Sequence, residues 1–69
     1  MRISARNEIS GKIRKVKMGP VSAEVTIEVA RGIEIVSVIS AASAKSLKLK
    51  KGKKAYAIIK ASNVMVGVD

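Results

Sequence analysis

The strongest constraint on the fold is a strict alternation of apolar and polar residues between positions 21 and 29. Every second side chain is apolar, and this set consists of Val21, Ala23, Val25, Ile27 and Val29. Successive side chains of a β-strand point to opposite faces, so the pattern predicts a strand with one buried face. A helix would require a period of about 3.6 residues, which this segment lacks. The segment therefore favours a β fold.

The preceding stretch, residues 8–18, alternates less regularly. Its apolar residues occupy one face as far as Ile13 and the other face from Val16 onward. One extra residue near Arg14 and Lys15 explains the change, as in a β-bulge. We therefore predict one long, bulged strand here rather than two short ones.

The remaining segments complete a pattern of five strands and one helix. Turn signals follow the first and second strands. Residues 33–40 are apolar on both faces, as in a strand buried on both sides, and another subunit is a candidate cover for one of those sides. Residues 40–49 suit a short helix, which Ser40 or Ser43 would cap. A basic turn follows, and two further strand patterns end the sequence at 55–60 and 64–68.

Three strands, a short helix and two strands, in that order, are the arrangement of the OB-fold, a small Greek-key barrel. We predict an all-β, OB-fold-like five-stranded barrel with one short helix between strands 3 and 4, formed by a single domain over residues 1–69. A small SH3-like barrel is the alternative. A domain of this size is marginally stable alone, and without Cys or His it has no disulfide or zinc site. We therefore expect an oligomer, since open barrel edges pair with neighbours.

The residue types present limit the classes of function. No His can act as a base and no Cys as a nucleophile, so we expect the protein not to be an enzyme. The net charge of +9, from fourteen basic and five acidic residues, predicts an anionic partner. Nucleic acid is the alternative partner, but Tyr56 is the only aromatic residue, so a base-stacking platform is missing. The lysine run at 48–54 is typical of a solvated turn.

Two polar stretches near opposite ends of the chain offer hydrogen-bond donors and no carboxylate. They read Ser-Ala-Arg-Asn at 4–7 and Lys-Ala-Ser-Asn at 60–63. Arg6 carries a planar fork of donors and Lys60 a compact charge. Short hydroxyl donors are added by Ser4, Ser37, Ser40 and Ser62. A tetrahedral oxyanion accepts many hydrogen bonds, and the charge-assisted ones are stronger, so we predict an oxyanion pocket where the stretches meet.

Four segments together resemble the molbindins, the small Mop-type molybdate-binding proteins also called TOBE domains. The segments are Ile-Ser-Ala-Arg-Asn at 3–7, Gly-Lys-Ile at 11–13, Val-Ile-Ser at 38–40 and Lys-Ala-Ser-Asn-Val-Met at 60–65. The resemblance implies a homohexamer, built as a trimer of dimers, that holds molybdate or tungstate between subunits. It also implies a role in molybdenum homeostasis by storage, buffering or delivery, or sensing for a partner. No apolar run reaches the length of a signal peptide or membrane span, so we expect a soluble, cytoplasmic protein.

The resemblance also implies which residues meet the ligand. Ser4 and Arg6 would approach it from one segment, and Lys60 with Ala61 from another. Many relatives carry Ser at the position of Ala61, which offers only its N–H, and Ser62 is the neighbouring hydroxyl. Ser37 and Ser40 of the partner subunit would complete the shell.

A second site type in this family lies near the threefold axis. It would use the turn formed here by Gly19, Pro20, Val21 and Ser22. Pro20 has no N–H, so this chain offers one donor fewer there.

Overall fold

The computed structural model describes all residues, 1–69, as four strands, one short helix and one helical turn. In chain order these are β1 (Asn7–Met18), β2 (Ser22–Ala30), β3 (Ile33–Ser40), α1 (Ala41–Ser46), β4 (Lys54–Ile59) and a 3-10 turn at Ala61–Asn63. The strands form one antiparallel, curled sheet in the order β3-β2-β1-β4. The predicted all-β architecture, with a short helix after the third strand, is confirmed.

The predicted bulge in β1 is present. Ile13 lies opposite Ile27 and Lys15 lies opposite Thr26, so Arg14 is the extra residue between two regular stretches of pairing. Because of this insertion Val16 lies opposite Val25, on the same side of the sheet as Ile13. The bulge therefore keeps both halves of a twelve-residue strand directed at one core.

The core lies on the concave side of the sheet and is small. Seven of 69 residues are buried, and the central cluster is formed by Ile13, Val25, Ile27 and Ala57. The opposite face of β3 is open, since Val36 and Val38 are 57% and 68% exposed. No element of the chain covers this outer face, so its burial against another subunit stays a prediction.

Helix α1 closes one end of the sheet. The Ser40 hydroxyl caps it by accepting a hydrogen bond from the Ser43 N–H at 3.0 Å. Ala41 and Ala44 are its buried residues. At the other end, the Lys53 ammonium donates to the Leu47 carbonyl at 2.8 Å, where helix carbonyls lack intrahelical partners. Both helix ends are thus fixed by side chains of this chain.

The fifth predicted strand is not part of this sheet. Residues 64–69, which we call the C-terminal tail, belong to no helix or strand. The exposed fraction is 90–94% for Val66, Met65 and Val68. An apolar strand needs a partner edge and a cover for its side chains, and these three side chains have almost no cover. The structure therefore does not confirm five strands within one chain.

The edges that a fifth strand would join are both unpaired. β3 and β4 are the two outer strands of the sheet. Between them lies an apolar slot of about 310 Å³, with Ile13, Val25 and Ile27 among its lining residues. Ser37 and Ile39 line it from β3, and Ala55 and Ile58 from β4. The slot therefore lies between the two open edges of the sheet.

Candidate functional site

The two polar end stretches lie side by side at one end of the sheet. β1 pairs with β4 so that Asn7 is opposite Ile59, which places residues 4–6 next to residues 60–63. Together they form an open cleft of about 620 Å³. Its lining consists of Ser4, Ala5, Arg6, Ile58, Lys60, Ala61, Ser62 and Asn63. The antiparallel register alone thus joins residues that are more than fifty positions apart in sequence.

A side-chain hydrogen bond fixes the two walls of this cleft to each other. Asn7 donates from Nδ2 to the carbonyl oxygen of Ile59 at 3.2 Å. This contact precedes Lys60 directly in the chain, and Arg6 precedes Asn7. The asparagine therefore braces the cleft with one of the two N–H donors of its side chain.

The turn that follows Lys60 leaves backbone donors free. Asn63 donates its N–H to the Lys60 carbonyl at 2.8 Å, and Val64 donates to the Ala61 carbonyl at 3.2 Å. The N–H groups of Ala61 and Ser62 make no backbone hydrogen bond. Ala61 therefore offers its amide to the cleft although its side chain carries no donor.

The electrostatic character of the cleft is uniformly positive. Arg6 and Lys60 line it, and no Asp or Glu does. The one ion pair of the structure, Arg14 with Glu28 at 3.7 Å, lies elsewhere. Both cations of the cleft are therefore unneutralised and exposed to an approaching anion. Hydrogen bonds between such cations and an anion are stronger than neutral ones.

The serines predicted to come from a partner subunit lie outside this cleft. Ser37 lines the apolar slot, on the same side of the sheet as Val25, its pairing partner. The Ser40 hydroxyl is engaged with Ser43 through the helix cap and a second contact at 2.8 Å between the hydroxyl oxygens. Within one chain, neither serine therefore reaches Arg6 or Lys60.

The turn predicted for a second site lies at the far end of β1 from the cleft. Gly19 donates its N–H to the Ser22 carbonyl at 2.8 Å, and the Val21 carbonyl accepts from Ala41 at 2.9 Å. Pro20 has no N–H. Two of the four positions, Gly19 and Pro20, therefore have no free amide.

Ile58 is the one lining residue that lies outside the two predicted polar stretches. Ile58 belongs to β4, where it pairs with Glu8, and Asn63 closes the 3-10 turn. The β1–β4 register would have identified Ile58, but pairing of these strands has no local sequence signal. No group of three or more His, Cys, Asp or Glu residues lies close enough together to hold a metal ion.

The sequence and the fold place this chain in a known family. Residues 3–66 match the TOBE domain. The chain belongs to the TOBE domain family. Within it, this TOBE domain is of the Mop type, as the resemblance implied. It is 49% identical over 69 residues to a probable molybdenum-pterin-binding protein of Haemophilus influenzae, and the match covers both chains completely. It is 46% identical over 66 residues to molybdenum-pterin-binding protein 3 of Clostridium pasteurianum, which covers 96% of this chain and 97% of that one.

Solved structures support the same assignment. MopII from Clostridium pasteurianum superposes on this TOBE domain with a TM-score of 0.91 at 42% identity, over 97% of this chain and 100% of MopII. The cytoplasmic molybdate-binding protein ModG, with molybdate bound, gives a TM-score of 0.94 at 43% identity. That match covers 100% of this chain and 49% of ModG. No helix of this TOBE domain has the length and apolar character required to cross a membrane.

Proposed function

We propose that this TOBE domain binds molybdate or tungstate reversibly in the cleft between residues 4–6 and 60–63. The observation that carries the proposal is the pairing of Arg6 and Lys60 in a lining that contains no carboxylate. The relatives named as molybdenum-pterin-binding and molybdate-binding proteins support this choice of anion. The metal already carries its four oxygens, so the protein contributes hydrogen-bond donors and no metal ligand.

Each donor has a distinct role in this mechanism. Arg6 presents parallel N–H groups that suit two oxygens of one anion, and Lys60 contributes a movable point charge. Ser4 and Ser62 offer hydroxyls, and the free N–H of Ala61 approaches from the turn. None of these groups is a base or nucleophile suited to catalysis at neutral pH, so the proposed function is non-enzymatic binding.

The sites are proposed to be shared between subunits. Residues 60–63 are the last part of the cleft, and the unpaired C-terminal tail begins immediately after them. A tail that entered the slot of a second chain would form the missing fifth strand and bury its valines. The cleft would then lie where one chain crosses to the next. Ser37 and Ser40 of the partner subunit would come near the anion only in such an assembly, for which we propose the homohexamer built as a trimer of dimers.

The turn at Gly19–Ser22 is the proposed second site, near the threefold axis of that hexamer. Because Gly19 already donates to Ser22 and Pro20 has no N–H, fewer amides remain for an anion than four residues would normally offer. Weaker binding is therefore expected there than in the cleft. The cellular role we propose is cytoplasmic storage, buffering or delivery of the oxyanion.

Calorimetric titration with molybdate, tungstate and sulfate tests the proposal. All three are tetrahedral dianions, and the larger two should bind more tightly if the cleft is sized for them. Equal affinity for sulfate would contradict a molybdate-specific role, and no heat from molybdate would contradict the proposal as a whole. Native mass spectrometry of the same samples would count subunits and bound ions together. Ligand that occupies sites between subunits should also stabilise the assembly by mass action.

A further inference from the structure

A second positively charged surface lies away from the cleft. It is a groove of about 800 Å³ between the bulged half of β1 and the segment that runs from α1 to β4. Six cations line it, namely Arg14, Lys15, Lys45, Lys48, Lys50 and Lys51. It shares no residue with the cleft around Arg6 and Lys60. We call it the basic groove.

The loop that carries most of these lysines is held in place by the backbone. Gly52 donates its N–H to the Ile13 carbonyl at 2.8 Å, and Ile13 donates to the Lys53 carbonyl at 2.9 Å. Leu49 donates to the Ala44 carbonyl at 3.2 Å and packs against the core. The lysines thus project from an ordered frame, so a partner would lose little free energy in ordering the loop.

Acidic residues of the chain neutralise almost none of the positive charge in the basic groove. No Asp or Glu lines it, and only Arg14 has an acidic partner, Glu28 at 3.7 Å. Like charges placed together oppose folding through their mutual repulsion. A partner of opposite charge would remove that repulsion, which gives the groove a preference for acidic surfaces.

The floor of the basic groove favours an acidic protein over nucleic acid as the partner. It is apolar and consists of Val16, Met18, Ala44 and Leu49. A sugar-phosphate backbone would leave this aliphatic floor unused, and the groove has no aromatic side chain on which a base could stack. Five of its six cations are lysines, whose ammonium groups do not make the bidentate contacts to phosphate that an arginine makes.

We propose that the basic groove is a docking surface for an acidic, amphipathic segment of another protein. Carboxylates of that segment would face the lysine rim, and its apolar side chains would cover Met18 and Leu49. The cleft remains open at the other end of β1. A docked protein could therefore receive the oxyanion while that protein is still bound to the TOBE domain. The docking surface itself stands independently of the proposed oxyanion function.

Fluorescence anisotropy with three labelled probes tests this proposal. The probes are a synthetic peptide with leucines at helical spacing among glutamates, polyglutamate of equal charge, and a single-stranded oligodeoxynucleotide of equal charge. The amphipathic peptide should bind most tightly. The triple variant K45Q/K48Q/K51Q should bind it about tenfold more weakly, as expected for the loss of three exposed ion pairs. The charge-matched control K12Q/K17Q/R31Q should retain wild-type affinity.

A second variant distinguishes the apolar contacts of the groove floor from the ionic contacts of its lysines. Met18→Gln keeps the side-chain volume but places an amide in the floor, so it should weaken the amphipathic peptide and leave polyglutamate unchanged. Equal loss in the triple variant and its control would overturn the proposal, as would preferential binding of the oligonucleotide. Since these titrations contain no molybdate, a failure of the oxyanion proposal would leave their outcome unaffected.

Discussion

If the C-terminal tail joins subunits as proposed, replacing Val66 by Gln should abolish their association while the sheet of each chain stays intact. Val66 is 90% exposed in the C-terminal tail, which belongs to no helix or strand. If the tail forms the fifth strand of a neighbouring subunit, Val64, Val66 and Val68 share one face by the two-residue repeat of a strand. We expect that face to enter the apolar slot between β3 and β4.

The expected loss of association free energy follows from the burial of this side chain in the assembly. Burial of a valine contributes about 1.5–3 kcal/mol, and burial of an unpaired amide costs about 1–3 kcal/mol. Each exchanged tail would therefore lose about 3 kcal/mol or more when Val66 becomes Gln. A dimer exchanges two tails, so its dissociation constant should rise by roughly four orders of magnitude.

Sedimentation velocity over a range of protein concentrations measures this change directly. Met65→Gln is the matched control, because Met65 lies on the opposite face of the same strand and is 94% exposed. We expect the control to assemble as the wild type does, and the Val66→Gln variant to sediment as a monomer. Assembly of both variants with wild-type constants would refute tail exchange. Disruption by Met65→Gln alone would show that the opposite face enters the slot.

The cleft, the sheet and the helix each give one further prediction. Arg6→Ala or Lys60→Ala should weaken molybdate binding by about 1.5–3 kcal/mol, the usual contribution of a hydrogen bond to a charged group. Calorimetry should show no change in molybdate affinity for the control Lys17→Ala. Unchanged affinity in both cleft variants would place the pocket elsewhere. Gly11→Ala should destabilise the fold by about 1–3 kcal/mol in urea denaturation, because its added Cβ would collide with a backbone carbonyl of β2; an unaltered midpoint would contradict that packing. Ser40→Ala should cost about 1 kcal/mol of stability through loss of the helix cap, measured by thermal unfolding, and an unchanged melting temperature would argue against the cap.

The features predicted correctly from the sequence are those that depend on side-chain alternation. The bulge at Arg14 could be inferred because one extra residue reverses every later side chain of β1, and this reversal is visible without knowledge of the partner strand. The cap of α1 was also predictable, since a serine before a run of alanines has a local hydrogen-bonding role.

The features that the sequence leaves open depend on partners that lie far away or outside the chain. The pattern at 64–68 predicts a strand, but these residues belong to no strand of the sheet, and strand propensity cannot specify which edge a strand would join. Ser37 and Ser40 are three positions apart and so lie on opposite faces of β3, and their contribution to a site of the partner subunit stays a prediction. The lysines at 48–54 are exposed, as expected for a solvated turn, but nothing local reveals that β1 lies beside them and forms a groove.

The exposed C-terminal tail has a consequence for engineered repeats of this domain. Two copies joined head to tail by a flexible linker would each present an open slot and a free tail within the same molecule. Exchange would then become intramolecular, with an effective concentration in the millimolar range for a short linker that can span the distance. If tails exchange as proposed, a tandem protein of this kind should stay assembled at dilutions that separate free subunits.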